Sequence, residues 1–279
     1  MTFAIEYLGQ LEAFAARGPL PKVRALHLPP VHPQWDNRGE FCALELDDGS
    51  IGQSYVLFDS ALQRLHAASE SLALPGTDAL ALARQYATGQ GPLRELGFAA
   101  ANALTQCLFQ RAGYVPQDSG GSLGNLQPAG GESIGMIGLF KPLLEPVLRS
   151  GAHLTVVELN PDLITESPGY RVTLDASELA TCTQVISTST LLLNHTLDRM
   201  LQHCHHARWF GMLGPSAGCL PDALFARGVS LLGGSAITDR TGFVDALRSG
   251  GSRHAFTRKF SLTPGNYPGF DALLNRIGD

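Results

Sequence analysis

Charge is scarce in this sequence: Asp, Glu, Lys and Arg make up 16% of 279 residues, with a net charge of −5, whereas globular chains usually carry about a quarter. So little charge, and of acidic balance, does not suit a polyphosphate backbone, and nucleic acid is excluded as the expected partner. Long apolar runs are missing as well. Nowhere do the roughly 18 consecutive apolar residues of a membrane span occur, and residues 1–10 lack the basic start and apolar stretch of a secretory signal. A soluble, cytoplasmic chain without membrane contact is expected. Cysteine is limited to Cys42, Cys107, Cys182, Cys204 and Cys219. These are an odd, scattered set with no Cys-x-x-Cys pair, so neither a disulfide framework nor a structural zinc site is encoded.

What the chain has in quantity is glycine and proline, 31 and 17 residues, within 44% apolar composition. That apolar content argues against disorder, and a chain of this length buries about three quarters of its unfolded surface. Glycine and proline punctuate loops, where sites sit.

Two halves differ in rhythm. In residues 3–16, Phe3, Tyr7, Leu8, Leu11 and Phe14 recur at helical spacing. Short apolar runs at 23–28, 41–46 and 51–58 follow. The last two flank Asp47-Asp48-Gly49-Ser50, a hairpin turn, so a small antiparallel sheet is predicted. Helical patterns then cover 60–71, 78–87 and 94–111, which makes the first half an α+β unit. Residues 117–131 are glycine-rich and almost free of large apolar side chains, marking a boundary. The expected division is 1–117, a linker over 118–131, and 132–279.

Beyond the linker, strands are expected at 133–137, 153–157, 184–188, 209–213 and 229–232, with helices at 142–149, 194–206, 221–226 and 242–248. This alternation specifies β-α-β units and a doubly wound, parallel, Rossmann-like sheet. Such sheets bind ligands beyond the carboxyl ends of their strands. There the sequence places Gly135-Met136-Ile137-Gly138-Leu139-Phe140, a turn suited to a charged group but lacking the full dinucleotide fingerprint. Glu158 closes the next strand about twenty residues after Gly138, the place of a ribose-binding acid in nucleotide-binding units. Thr188, Thr190 and Asn194 follow the third strand and offer uncharged donors and acceptors, with Asn194 also suited to cap a helix. Ser216 follows the fourth, and Gly233-Gly234-Ser235 the fifth. No strong base or nucleophile joins them, and Ser216 lacks the setting of a hydrolase elbow. No catalytic residue is assigned. His203 and His206 lie one helical turn apart and share a face, but two ligands do not complete a metal site, and imidazoles suit a helix C-terminus. His27 and His32 are isolated.

The segments 135–140, Leu154-Thr155-Val156-Val157-Glu158-Leu159-Asn160-Pro161, 187–197, Gly214-Pro215-Ser216 with Pro221, and Ser249-Gly250-Gly251 together resemble, in order, a family of bacterial and archaeal proteins named for a heavy-metal chelation role. The first half, with its Asp48-Gly49 turn and the GFAAANAL stretch at 97–104, is similar to the domain that precedes it in that family, which resembles the N-terminal cap of enolases. The resemblance implies an enolase-N-like cap over a Rossmann-like sheet, with a cleft lined by Asn102 from the cap and by Gly138, Phe140, Glu158, Thr188, Thr190, Asn194 and Ser216. It also implies a small polar ligand, a metal ion or a metal chelate. The competing expectation is an enzyme with a nucleoside cofactor, S-adenosylmethionine or a dinucleotide; a third is an assembly protein with an idle cleft. A homo-oligomer is left open.

Overall fold

The computed structural model describes residues 1–31, 40–56, 60–119 and 126–278. His32, positions 57 and 58 of the third expected strand, and residues 120–125 of the expected linker fall outside them.

The chain opens with α1 (Phe3–Ala15), which buries Phe3, Tyr7, Leu8, Leu11 and Phe14, the stripe set by their spacing. Strands β1 (Val23–His27), β2 (Phe41–Leu46) and β3 (Ile51–Tyr55) form an antiparallel sheet in that order. Helix α2 (Ala61–Ala68) follows. The single helix expected over 78–87 is two short ones, α3 (Ala79–Ala83) and α4 (Gln85–Thr88). They pack closely on α5 (Pro92–Arg111), where a Cβ on Gly97 would stand 2.3 Å from the Tyr86 nitrogen. Local propensity favours one helix, and this backbone contact takes precedence over it. Helix α5 is buried on nearly every side, as expected of a helix apolar all round.

The second half builds one eight-stranded sheet from β4 (Ser133–Ile137), β5 (His153–Val157), β6 (Thr165–Ser167), β7 (Tyr170–Thr173), β8 (Gln184–Thr188), β9 (Trp209–Leu213), β10 (Leu231–Ile237) and β11 (Thr257–Leu262). Its order is β11-β10-β9-β8-β4-β5-β7-β6. The strands from β10 to β7 run parallel, while β11 and β6 are antiparallel to their neighbours. The architecture is therefore α/β with a largely parallel but mixed sheet, not the wholly parallel one expected. The edge strands escaped the pattern because they are short or bounded by turns, as at Pro168-Gly169. The strand expected at 229–232 is displaced to β10, and Gly233-Gly234-Ser235 lie inside it rather than after it. Pairing with β11 holds these residues extended against glycine's low strand preference.

Alternate side chains of each central strand go to opposite faces. Ile134, Met136, Leu154, Val156 and Ile186 pack under Leu143 and Val147 of α6 (Lys141–Arg149). Ile137, Val157, Val185, Phe210 and Met212 enter a cluster that runs without a break to Tyr7, Phe14, Phe98 and Leu104. Helices α7 (Leu197–His203), α8 (Asp222–Phe225) and α10 (Phe270–Ile277) contribute to it. Helix α7 is shorter than the 194–206 expected, because Ser189–Leu192 forms a 3-10 turn and the Asn194 and Thr196 side chains build another turn before the helix starts. Helix α9 (Arg240–Ser249) crosses back to the first half, where Phe243 and Leu247 cover Ala43 and Ile51. The three-stranded sheet is thus enclosed between α5 and α9.

Polar contacts pin the same junction. Asn102 on α5 is buried; its Nδ2 donates to Gln53 O (2.9 Å) and Ser216 O (3.1 Å), and its Oδ1 accepts from Tyr7 Oη (3.2 Å). The Ser216 hydroxyl accepts from Tyr55 N (3.0 Å). Replacing Asn102 by Ala leaves buried carbonyls without donors, and urea denaturation is expected to show a loss of about 2–4 kcal/mol; a loss under about 1 kcal/mol contradicts this role.

At the α9 contact, Glu45 is buried and accepts from His27 Nε2 (2.9 Å) and Arg240 Nε (2.7 Å), with Arg24 Nε at 3.5 Å. Among the described residues, His27 Nδ1 is buried without a hydrogen-bond partner. Burial therefore holds His27 below its ordinary value of 6.5, outweighing Glu45 and helped by Arg248 and Arg240. The native state favours the neutral ring, so the unfolded chain takes up the proton first as pH falls. This contribution to stability is complete above about pH 6.5 and declines on acidification below it. The urea midpoint of His27→Gln is expected to fall less than that of the parent between neutral and mildly acidic pH; an equal fall contradicts the assignment.

Candidate functional site

A cavity of about 430 Å³ opens at the carboxyl ends of β4, β5, β8 and β9, beneath Phe41 and Tyr55 at the open end of the β2–β3 hairpin. Phe41 and Tyr55 are cross-strand partners, and their rings meet edge to face with centroids 5.6 Å apart. Two glycines let the turns below approach. Gly138 has φ +83°, and a Cβ there would meet Thr188 Cγ2 at 3.1 Å. Gly214 has φ +145°, and a Cβ there would stand 2.4 Å from Ser189 Oγ. Side chains at either point would be strained or would fill the floor.

Gly138, Phe140, Glu158, Thr188, Thr190 and Asn194 all line this cavity. Glu158 accepts from the backbone N–H of Leu139 and from that of Leu159 (3.1 Å), which orients its carboxylate across the mouth of the β4 turn. The next amide, Phe140 N–H, points at Met136 Sδ (3.4 Å). The turn's donors are therefore already engaged, and an anion placed there would face a carboxylate. A nucleotide phosphate does not fit this arrangement. Burial raises the Tyr55 phenol, and the charge of Glu158 raises it further, so the aromatic roof remains neutral over the acid. Thr190 Oγ1 donates to Thr188 Oγ1 (3.1 Å). Asn194 Oδ1 accepts from Thr196 N (3.2 Å). Most other lining side chains are apolar, including Leu139, Val157, Leu191 and Met200. Arg199 stands at the rim, exposed and, among the described residues, without an ion-pair partner.

Asn102 and Ser216 are placed differently. Both are buried at the junction behind the cavity and are spent on the hydrogen bonds described above. They reach the cavity indirectly, Asn102 through the backbone of Ser216 and Ser216 through Tyr55 N. Phe41, Tyr55, Asn160 and Arg199 were not among the expected contributors. For Phe41 and Tyr55 a signal existed, since counting outward from the Asp48-Gly49 turn pairs these two aromatics at the hairpin's open end. Arg199 carries no such signal.

His203 ends α7, while His205 and His206 lie beyond it with ring centroids 4.2 Å apart. Among the described residues, no three His, Cys, Asp or Glu side chains come together in a way that could hold a metal ion. Among the described residues the cavity itself offers one carboxylate, a few neutral oxygens and the cation Arg199. The lining therefore does not fit a bare ion held by protein ligands alone. Among the described residues, no helix is long and apolar enough to cross a membrane.

Comparison with known proteins accords with the fold. Residues 123–264 match the model of the family DUF364, described as "Putative heavy-metal chelation". No curated protein matches. The chain is similar to the crystal structure of a DUF364 protein of unknown function from Pyrococcus horikoshii, with TM-score 0.66, 17% identity, and coverage of 92% of this chain and 99% of that one. It is likewise similar to one from Desulfitobacterium hafniense, with TM-score 0.64, 20% identity, and coverage of 92% and 99%. At these identities the likeness concerns the fold. The family model, however, spans more than half of the sequence, and the chain belongs to the DUF364 family.

Proposed function

We propose that the cavity binds a small organic molecule that carries its own metal ion, a metal chelate, in preference to a free ion. The observation that carries this reading is that, among the described residues, Glu158 is the one carboxylate lining the cavity, with Arg199 at its rim and the rest of the lining apolar or of neutral hydroxyl and amide groups. A hard or borderline cation bound by protein alone wants several charged or imidazole ligands. A chelate brings its ligands with it and needs a pocket with an apolar body and a few placed polar groups. Here Glu158 meets a cationic or N–H-bearing part, Thr188 and Thr190 bond to polar edges, and Phe41 and Tyr55 cover the organic portion. The volume suits a molecule of metabolite size. The family's description supports a link to metals.

The same proposal takes residues 1–117 as an enolase-N-like cap, 118–131 as a linker and 132–279 as a Rossmann-like unit. The separate three-stranded sheet and the run of parallel strands support this division.

Equilibrium dialysis with elemental analysis tests the reading on three probes: Ni²⁺ alone, a preformed nickel–histidine complex, and anionic iron–citrate. The nickel–histidine complex is expected to be retained, with the other two retained weakly. Glu158→Gln should lower that retention by roughly tenfold or more, the weight of one charge-assisted bond. A His203→Ala/His206→Ala double variant should retain it as the parent does. Retention of free Ni²⁺ as strong as that of the complex, retention lost with the two histidines, or no retention of any probe overturns the proposal.

A further inference from the structure

A second cavity, of about 270 Å³, lies beyond a wall of Phe140, Leu213, Gly214 and Pro215, residues that bound the first cavity on their other side. Its floor is the β10–β11 pair, where the register decides which side chains meet. Gly233 is opposite Ser261, Ser235 opposite Lys259, and Ile237 opposite Thr257. Opposed residues project from the same face, as do positions two apart on a strand. Ser235, Ser261, Lys259 and Thr257 therefore stand together on one face, and Gly233 adds no side chain among them. Phe260, one position out of phase, goes into the core on the other face. His254 joins the lining from the turn before β11.

With Ser119, which also lines the cavity, the donor set is four hydroxyls, one ammonium and one imidazole. No carboxylate lines the cavity among the described residues. The nearby Asp118 is paired with Arg258, and Asp239 caps α9 by accepting from Gly242 N (3.0 Å). The first cavity carries Glu158 and, at its rim, Arg199, so the two sides of the wall differ in having and lacking a carboxylate.

We infer that the second cavity is a subsite for a small anion, the carboxylate or phosphoryl group of a metabolite, held by Lys259 and by the hydroxyls of Ser235 and Ser261, while the Thr257 hydroxyl donates to Arg253 O (3.3 Å). This goes beyond the chelate reading and stands without it. Hydroxyls and an ammonium are donors to an anionic oxygen, and the shared wall brings any such group next to the occupant of the first cavity.

Titration of the metal-free protein with inorganic phosphate and, separately, with succinate tests the inference by following the backbone amide resonances of Gly233, Gly234 and Ser235. Saturable shifts are expected with at least one probe, and the probe that saturates first tells phosphoryl from carboxylate. Lys259→Gln, a change at an exposed position, should weaken that binding about fivefold, the upper range for one exposed charge. Glu158→Gln should leave it unchanged, which separates this result from failure of the chelate reading. Absence of saturable shifts with both probes, or affinity unaltered by Lys259→Gln, overturns the inference.

Discussion

The structure depends on one buried amide. Asn102 sits within the buried, Ala- and Leu-rich middle of α5, and its two N–H groups reach carbonyls that belong to different halves of the chain, Gln53 and Ser216. A buried polar group left without partners is costly, so these bonds fix the distance between β3 and the turn after β9. Ser216 then fixes Tyr55 through the backbone N–H, and Tyr55 forms part of the roof of the cavity. Tyr86 Oη, which donates to Leu192 O (2.6 Å), and Arg227, which bonds to Glu6 (2.7 Å) and Asp198 (3.2 Å), repeat the linkage at the periphery. The apolar cluster that runs through both halves supplies the cohesion, and the polar contacts supply the register.

With the halves so fixed, the chemistry of the cavity follows from how few charges face it. The turn after β4 has the shape of an anion cradle, yet Glu158 occupies its amide. That internal carboxylate turns a place suited to phosphate into one suited to a cation or an N–H-bearing group. Among the described residues one carboxylate and the rim cation Arg199 face the cavity, a set too small to hold a metal ion by itself. Across the wall of Phe140 and Pro215, Lys259 and a row of hydroxyls offer the complementary preference.

Much of this was legible in the sequence. Strands β4, β5, β8 and β9 were readable from their apolar runs, and in a parallel sheet the residues after such strands must gather at one edge. Gly138, Phe140, Glu158, Thr188, Thr190 and Asn194 therefore line one cavity. The remainder depends on contacts between distant segments. Phe41 and Tyr55 reach the cavity only because α5 and α9 hold the hairpin from both sides. Gly233-Gly234 read locally as a loop, but β11 captures it as strand. The resemblance implied Asn102 as a residue lining the cleft, whereas it is buried behind the cavity, because its place depends on how closely Gly52 packs on α5, where a Cβ would stand 2.1 Å from Ala99 O. The edge strand β6 is too short for periodicity to declare it, while β11, six residues long, alternates too weakly to be read apart from its pairing with β10.

The central claim is that the space between Tyr55 and Glu158 holds a metal-bearing organic ligand. Its most direct measurement is an anomalous difference map from crystals grown with the nickel–histidine complex. The account predicts a nickel peak inside this cavity, with density for the histidine ligand around it and no protein group completing the metal's coordination. A peak at His205 and His206, or nickel held by protein side chains alone, contradicts it.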